Sequence, residues 1–327
     1  MSTFITKTTK SYLIGLFRVV HNANCVRLAH ITNTSHDRLS RVLKSTISVS
    51  LTQITKTLVK TLEKIEKGYL IIDDTTINKE YAKVIERCHW LWSTNGSRFI
   101  FGYNIVVLMW SNGTITIPLK WLFYKKESEK KDQVTKIDLA HELMEYAKKD
   151  LCLATTEIMF DSFYSAESIL KRCEEYKWYY YTKVRSNRIL DGKQVQKHYR
   201  NPYWEKTGTL SCKLKARVIR HGKRYFLTNN FELPKKDIIA SYDSRWRIEE
   251  VFRMVHDRLG LDECASRSFI AQSTHTTFVM IAYTILASQK TGCELSVYQQ
   301  HDRCIVNADY ASLLVNDFVK QEDLGSA

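Results

Sequence analysis

Two short apolar runs in this 327-residue chain end in carboxylates. Tyr69-Leu-Ile-Ile-Asp73-Asp74 and Thr156-Glu-Ile-Met-Phe160-Asp161 each read as a buried strand with acid at its C-terminal end. On neighbouring strands of one sheet such side chains can converge at one edge, where hard divalent cations find oxygen ligands. A third acid, Glu249, lies on a predicted long helix that Pro234 opens from its first position and that runs to Leu259. At ~100° per residue, Tyr242, Arg245, Glu249 and His256 share a stripe about 60° wide. Ile248, Phe252, Val255 and Leu259 lie beside that stripe, and Asp243, Ser244, Arg247 and Arg258 lie on the far side. The polar stripe therefore borders the buried face, where charge is costly without partners. An Arg245–Glu249 salt bridge at i, i+4 is the plain structural account of that pair and, taken alone, the commoner arrangement.

Tyr242-x2-Arg245-x3-Glu249-x6-His256 sits within Tyr-Asp-Ser-Arg-Trp-Arg-Ile-Glu-Glu-Val-Phe, with Leu259-Gly260-Leu261 after it. This stretch resembles the Tyr-Arg-Glu-Lys signature of DDE-type insertion-sequence transposases in the large group numbered four. Asp73-Asp74-Thr75-Thr76 and Phe160-Asp161-Ser162 resemble that family's first and second aspartate motifs, and Gly102-Tyr103-Asn104-Ile105-Val106 resembles its second strand. The resemblance spans residues 30–265, with the three acidic motifs in order.

The resemblance implies an α/β fold: an RNase H-like mixed sheet flanked by helices, with an N-terminal helical DNA-binding domain and a β-rich insertion. It implies a metal-binding catalytic triad of Asp74, Asp161 and Glu249, with Asp73 as the alternative to Asp74. Asp74 is preferred because it directly precedes Thr75-Thr76. The implied cofactor is a pair of Mg2+ ions, replaceable by Mn2+, that clamp the attacking and leaving oxygens of a displacement at phosphorus. Tyr242 and Arg245 match positions that hold a DNA phosphate near the transposon end. His256 stands where the signature has lysine, a shorter side chain without a fixed charge. The implied activity is cut-and-paste transposition, by cleavage and strand transfer at terminal inverted repeats. Its partners are double-stranded DNA, as transposon ends and as target, and a second copy of the chain; no membrane is involved. Hairpin-forming members stack a flipped base on an aromatic of the insertion; Trp204, then Trp178, is expected there, with a core tryptophan as the plain alternative. A catalytically inactive or domesticated DNA-binding protein of the same fold is the alternative function, motivated by His256. A structure-selective nuclease built on the same core is a third reading.

The distribution of charge points to nucleic acid independently. The chain carries 49 Lys+Arg against 35 Asp+Glu, a net +14. Between Tyr176 and Asn230 there are 14 Lys/Arg, Arg185 among them as an expected DNA contact, and only two acids, Asp191 and Glu205. Ten aromatics are interleaved with that charge, among them Trp178, Tyr179, Tyr180, Tyr181, Tyr199, Tyr203 and Trp204. Cations neutralise phosphates while ring faces stack on bases. A β-subdomain with core aromatics and solvated lysines is the competing account.

The elements that must position these residues follow from periodicity. Helices are predicted at Ser11–Val20 and Val26–Thr32, with a turn at Asn33. A capping box at Thr34-Ser35-His36-Asp37 opens a third helix through Lys44, with Leu39, Val42 and Leu43 facing inward. That outline is a helix-turn-helix, with Ser35–Lys44 expected in a major groove. A fourth helix places Leu51, Ile54, Leu58, Leu62 and Ile65 on one face and stops at Gly68. Strands at Phe99–Met109 and Thr114–Leu119, joined by Ser111-Asn112-Gly113, and helices at Thr135–Lys149 and Ser165–Glu175 complete the first part of the core. The expected domains are 1–68 (helical, DNA-binding), 69–175 (core, first part), 176–230 (insertion), 231–290 (core, second part) and 291–327 (helical tail). Eight cysteines without a Cys-x-x-Cys pair, and no cleavable signal, fit a reducing cytoplasm, with the protein on bacterial nucleoid DNA. The apolar stretch Phe278–Ala287 is too short for a bilayer and reads as a core helix.

Overall fold

A continuous apolar run such as Leu70-Ile71-Ile72 suits only a strand covered on both faces, and the computed structural model places it at the centre of a nine-stranded sheet. The structure describes residues 6–44, 59, 67–82, 84–93, 98–125, 134–289 and 295–325. The predicted fourth helix, apart from Val59, lies outside the described residues. In chain order the elements are α1 (Lys7–Arg18), α2 (Cys25–Thr32), α3 (His36–Leu43), β1 (Tyr69–Asn78), β2 (His89–Ser93), β3 (Arg98–Ser111) and β4 (Thr116–Tyr124). There follow α4 (Lys136–Glu145, continued by a π-helical turn, Tyr146–Asp150), β5 (Glu157–Phe160), α5 (Glu167–Tyr176) and β6 (Tyr179–Lys183). The basic, aromatic segment holds β7 (Ile189–Leu190), β8 (Lys193–Gln194), β9 (Tyr203–Thr209), β10 (Lys215–His221) and β11 (Arg224–Thr228). The chain closes with α6 (Lys235–Asp243), a 3-10 turn (Ser244–Trp246), α7 (Arg247–Asp257), α8 (Phe269–Ser288), α9 (Val297–Val306) and α10 (Ala308–Gly325).

The strand order is β2-β3-β1-β5-β6-β11-β10-β9, and β4 flanks β3 beyond β2. β1 is antiparallel to β3 and parallel to β5, and β5 is parallel to β6. The segment expected as an insertion extends the central sheet: β11, β10 and β9 continue it from the edge of β6. β1 runs four residues past Asp74, so its acids sit inside the strand and not at its end. Gly102 lies opposite Asn78, where an added Cβ would be 2.1 Å from the Ile77 carbonyl oxygen; only glycine lets β3 approach β1 this closely.

The helices cover both faces. α4 and α5 bury Leu139, Leu143, Ile169 and Leu170, and α7 buries Ile248, Val251 and Val255, in one cluster that runs from Leu13 of α1 to Phe318 of α10. A smaller cluster of Met159, Tyr181, Ile219, Phe226, Ile238 and Tyr242 seats α6 on the sheet. α2 ends at Asn33, in the left-handed conformation expected of a turn, whereas Ser35 makes no capping hydrogen bond to α3. α1 packs on α8, α9 and α10, so the N-terminal helices share the core of the C-terminal ones. The fully buried His275 fastens this junction. Its Nε2 donates to the Gly260 carbonyl (2.8 Å), which leaves Nδ1 to accept from the Tyr12 hydroxyl (2.8 Å). Among the described residues, no helix is long and apolar enough to cross a membrane.

Candidate active site

Strand register decides which carboxylates meet. Ile72 pairs with Phe160 and Phe160 with Thr182, so the next residues, Asp73, Asp161 and Lys183, stand level on three adjacent parallel strands. Successive side chains point to opposite faces. Asp73 therefore shares a face with Ile71, and Asp161 and Lys183 share it through Met159 and Tyr181, the residues that receive α6. Asp74 points to the other face.

On the first face the predicted helix is broken. Pro234 precedes its first helical residue, and the 3-10 turn at Ser244–Trp246 separates α6 from α7. That turn delivers Arg245 into the sheet edge, where its Nη1 donates to Asp73 Oδ2 and its Nη2 lies 3.6 Å from Glu249 Oε1. The guanidinium thus spans two of the three acids, and the plain i, i+4 pair of the sequence is present as part of a larger network. Burial pushes the Asp73 carboxyl up to about 7; Arg245 opposes the rise, and Asp161 and Asp74 add to it. Asp73 is thus a buried carboxyl whose one cationic partner is Arg245. Lys183 lies 5.0 Å from the centre of the Tyr242 ring, and Arg245 lies 5.7 Å from it. Burial, with Arg245 and Arg224 nearby, holds the Lys183 ammonium below its usual range. Asp243 and Asp161 oppose that fall, and Asp243 also accepts from Arg224 (3.0 Å). Sequence reasoning missed Lys183 as an individual, because fourteen basic residues in one segment hide the one that the register brings level with Asp161.

On the second face both oxygens of Asp74 are hydrogen-bonded. Its Oδ2 accepts from Lys136 Nζ (2.7 Å) and Asn104 Nδ2 (2.8 Å), and its Oδ1 accepts from the Tyr164 hydroxyl (2.9 Å). The structure thus brings Asp73, not the preferred Asp74, together with Asp161 and the helix carrying Glu249. The donors fit a hard cation, being carboxylate oxygens, and Asp73 already draws the Arg245 guanidinium to itself. They are not closed around a point: among the described residues, no three His, Cys, Asp or Glu side chains stand together as a metal site. Arg245 occupies the space between Asp73 and Glu249.

The remaining expected contacts differ in accessibility. Tyr242 is buried in the apolar cluster below Arg245. His256 Nδ1 donates to Asp262 Oδ2 (2.6 Å), and Nε2 accepts from the Thr75 hydroxyl (2.9 Å), so both ring nitrogens are engaged within the chain. Asp262 also accepts from the Asn78 amide (2.7 Å), which ties the loop after α7 to β1. Trp178 and Trp204 are 1% and 8% exposed, so neither ring face is open to a base. Tyr199 and Tyr203 are the exposed rings around Trp204, and Arg185 is exposed in the loop after β6.

A family profile described as the transposase DDE domain matches residues 64–285. The chain belongs to this family. The match reaches from just before β1 into the last turn of α8 and so takes in Asp73, Asp161 and Glu249 with strands β7–β11. Among solved structures, the transposase domain resembles a piggyBac transposase synaptic complex with hairpin DNA, with a TM-score of 0.55. The likeness covers 96% of this chain and 71% of that one, at 12% identity, and is a likeness of fold. No curated protein matches the sequence.

Proposed function

We propose that the protein is a DNA transposase of the insertion-sequence group numbered four, acting by cut-and-paste at terminal inverted repeats, with Asp73, Asp161 and Glu249 as the carboxylates that hold two Mg2+ or Mn2+ ions. One observation carries the reading. In a chain of the transposase DDE domain family, Asp73 and Asp161 stand level on adjacent parallel strands, facing the arginine and glutamate of the signature.

Bound divalent ions would lower the pKa of the attacking water or 3′-hydroxyl and neutralise the departing oxygen in an in-line displacement at phosphorus. The chain's own part is to collect and orient charge. Lys183 and Arg245, both set over the Tyr242 ring, form a cationic edge that receives a backbone phosphate. Arg245, drawn onto that phosphate, leaves Asp73 and Glu249 with oxygen lone pairs free. The insertion strands β9–β11 and Arg185 carry the duplex, with the exposed Tyr199 and Tyr203 offering ring faces. Residues 1–68 act as the end-recognition domain, with α3 presenting Arg38 and Arg41 to a groove. A second copy of the chain bridges the two ends.

The test is cleavage of end-labelled DNA carrying the element's terminal repeats, with and without Mg2+. Short inverted repeats bordered by direct repeats around the coding region identify the substrate. Mg2+-dependent nicks at the repeat boundary are expected; intact DNA under conditions where the protein binds it would refute the enzymatic reading. Arg245 between Asp73 and Glu249, with His256 consumed internally, favours a second reading, a DNA-binding protein that keeps the fold without the chemistry. An Asp161→Asn variant with unchanged cellular phenotype would support it.

A further inference from the structure

We propose that Asp74 is a positioning residue, which clamps the loop carrying Asp161 against β1 and so sets Asp161 level with Asp73. The proposal rests on the reading above, that Asp73 and Asp161 hold the metal ions. Three donors cover the two oxygens of Asp74, one of them the Lys136 ammonium and the others the Asn104 amide and the Tyr164 hydroxyl. Both oxygens of Asp74 are thus already engaged, on the sheet face opposite the one to which the register assigns Asp161.

The contact through Tyr164 reaches the active-site loop. Tyr164 is 1% exposed, and its amide donates to the Asp161 carbonyl (3.2 Å). The amide of Phe163, its neighbour, donates to Asp161 Oδ1 (2.7 Å). A linked path therefore runs from Asp74 through the Tyr164 side chain and the 163–164 backbone to the carboxylate of Asp161. On the other side Asn104 joins Asp74 to Thr76 (3.3 Å), and Lys136 joins it to the first turn of α4. Two adjacent aspartates on one strand thus divide the work, one facing the ions and one holding the neighbouring strand's acid in place.

Mn2+ binding to the full-length chain, followed by the paramagnetic signal of free Mn2+, tests this, with melting curves to show that each variant is folded at the assay temperature. Asp73→Asn and Asp161→Asn are expected to abolish binding. Asp74→Ala and Tyr164→Phe are each expected to weaken it by about 10–100-fold, the range typical of groups that orient a ligand. The double variant should be no weaker than Asp74→Ala alone, because both remove the same link. Tyr164→Phe deletes one oxygen and no carboxylate, so it decides the matter even where Asp74→Ala fails to fold. Wild-type affinity in Tyr164→Phe would overturn the clamp, most directly if Asp74→Ala abolishes binding and so makes Asp74 itself a ligand. Unchanged affinity in both Asp73→Asn and Asp161→Asn would instead refute the metal-site reading, and the clamp with it.

Discussion

Two neighbouring aspartates with opposite surroundings carry the site. Asp73 faces a guanidinium and another acid, whereas Asp74 faces an ammonium, an amide and a phenol. Which one would face Asp161 was not legible from sequence. A strand buried on both faces reads as an unbroken apolar run, so Leu70-Ile71-Ile72 gives no alternation from which to count faces; only the pairing of Ile72 with Phe160 does so. His256 shows the same limit. Its spacing puts it on the signature stripe, but Asp262, six residues on, captures it. His256→Ala should lower stability by about 1–3 kcal/mol in urea denaturation, for the loss of a charge-assisted bond. It should leave the salt dependence of DNA binding unchanged. A fall of about one in the logarithmic salt slope would show instead that His256 contacts a phosphate.

At the scale of elements, the existence of the two strands before the aspartates, the hairpin after β3 and the helices around the core were legible, because periodicity and turn residues agree there, whereas the end of β1 was not. β2 was not. Its Trp90 and Trp92 stack across the strand pair on Phe101 and Phe99 and stay largely exposed, so no core-facing pattern marks it. The signature helix was legible in extent but not in its break, and the 3-10 turn at Ser244–Trp246 is what aims Arg245. Trp178 and Trp204 suited a base-stacking role by composition alone; alternation along β9 buries Trp204 and leaves Tyr203 outside, and Trp178, just before β6, is buried in the core. The β1–β3 pairing depends on Gly102, and Gly102→Ala should cost about 1–3 kcal/mol by overpacking, read as a lowered Tm. An unchanged Tm would mean that the two strands separate freely there. Truncating α1–α3 would remove core residues, so DNA recognition by α3 is better tested at its surface. Arg38→Ala with Arg41→Ala should weaken binding to the terminal repeats while preserving the melting curve. Undiminished specific affinity would place end recognition elsewhere.

Across the whole molecule the positive charge and the shared core make two further demands. If binding rests on roughly 6–10 phosphate contacts, affinity should fall by about 10³–10⁵ between about 50 and 200 mM salt, measurable by fluorescence anisotropy. A flat profile would exclude the insertion as the main DNA surface. Burial holds His275 and His301 down to about 4, against an ordinary 6.5, so below pH 6.5 the unfolded chain takes up protons that the folded chain refuses. Their contribution is therefore complete above pH 6.5 and is lost as the pH falls toward 4. The Tm advantage of the wild type over His275→Gln should narrow across that interval, and a constant difference would contradict the buried, neutral histidine. The central claim is that Asp73, Asp161 and Glu249 cut DNA together. The measurement that meets it most directly is Mg2+-dependent cleavage of terminal-repeat DNA by the wild type and by Asp161→Asn, at matched DNA occupancy. Cleavage by the wild type and none by the variant is the expected result; equal cleavage by both would contradict the account.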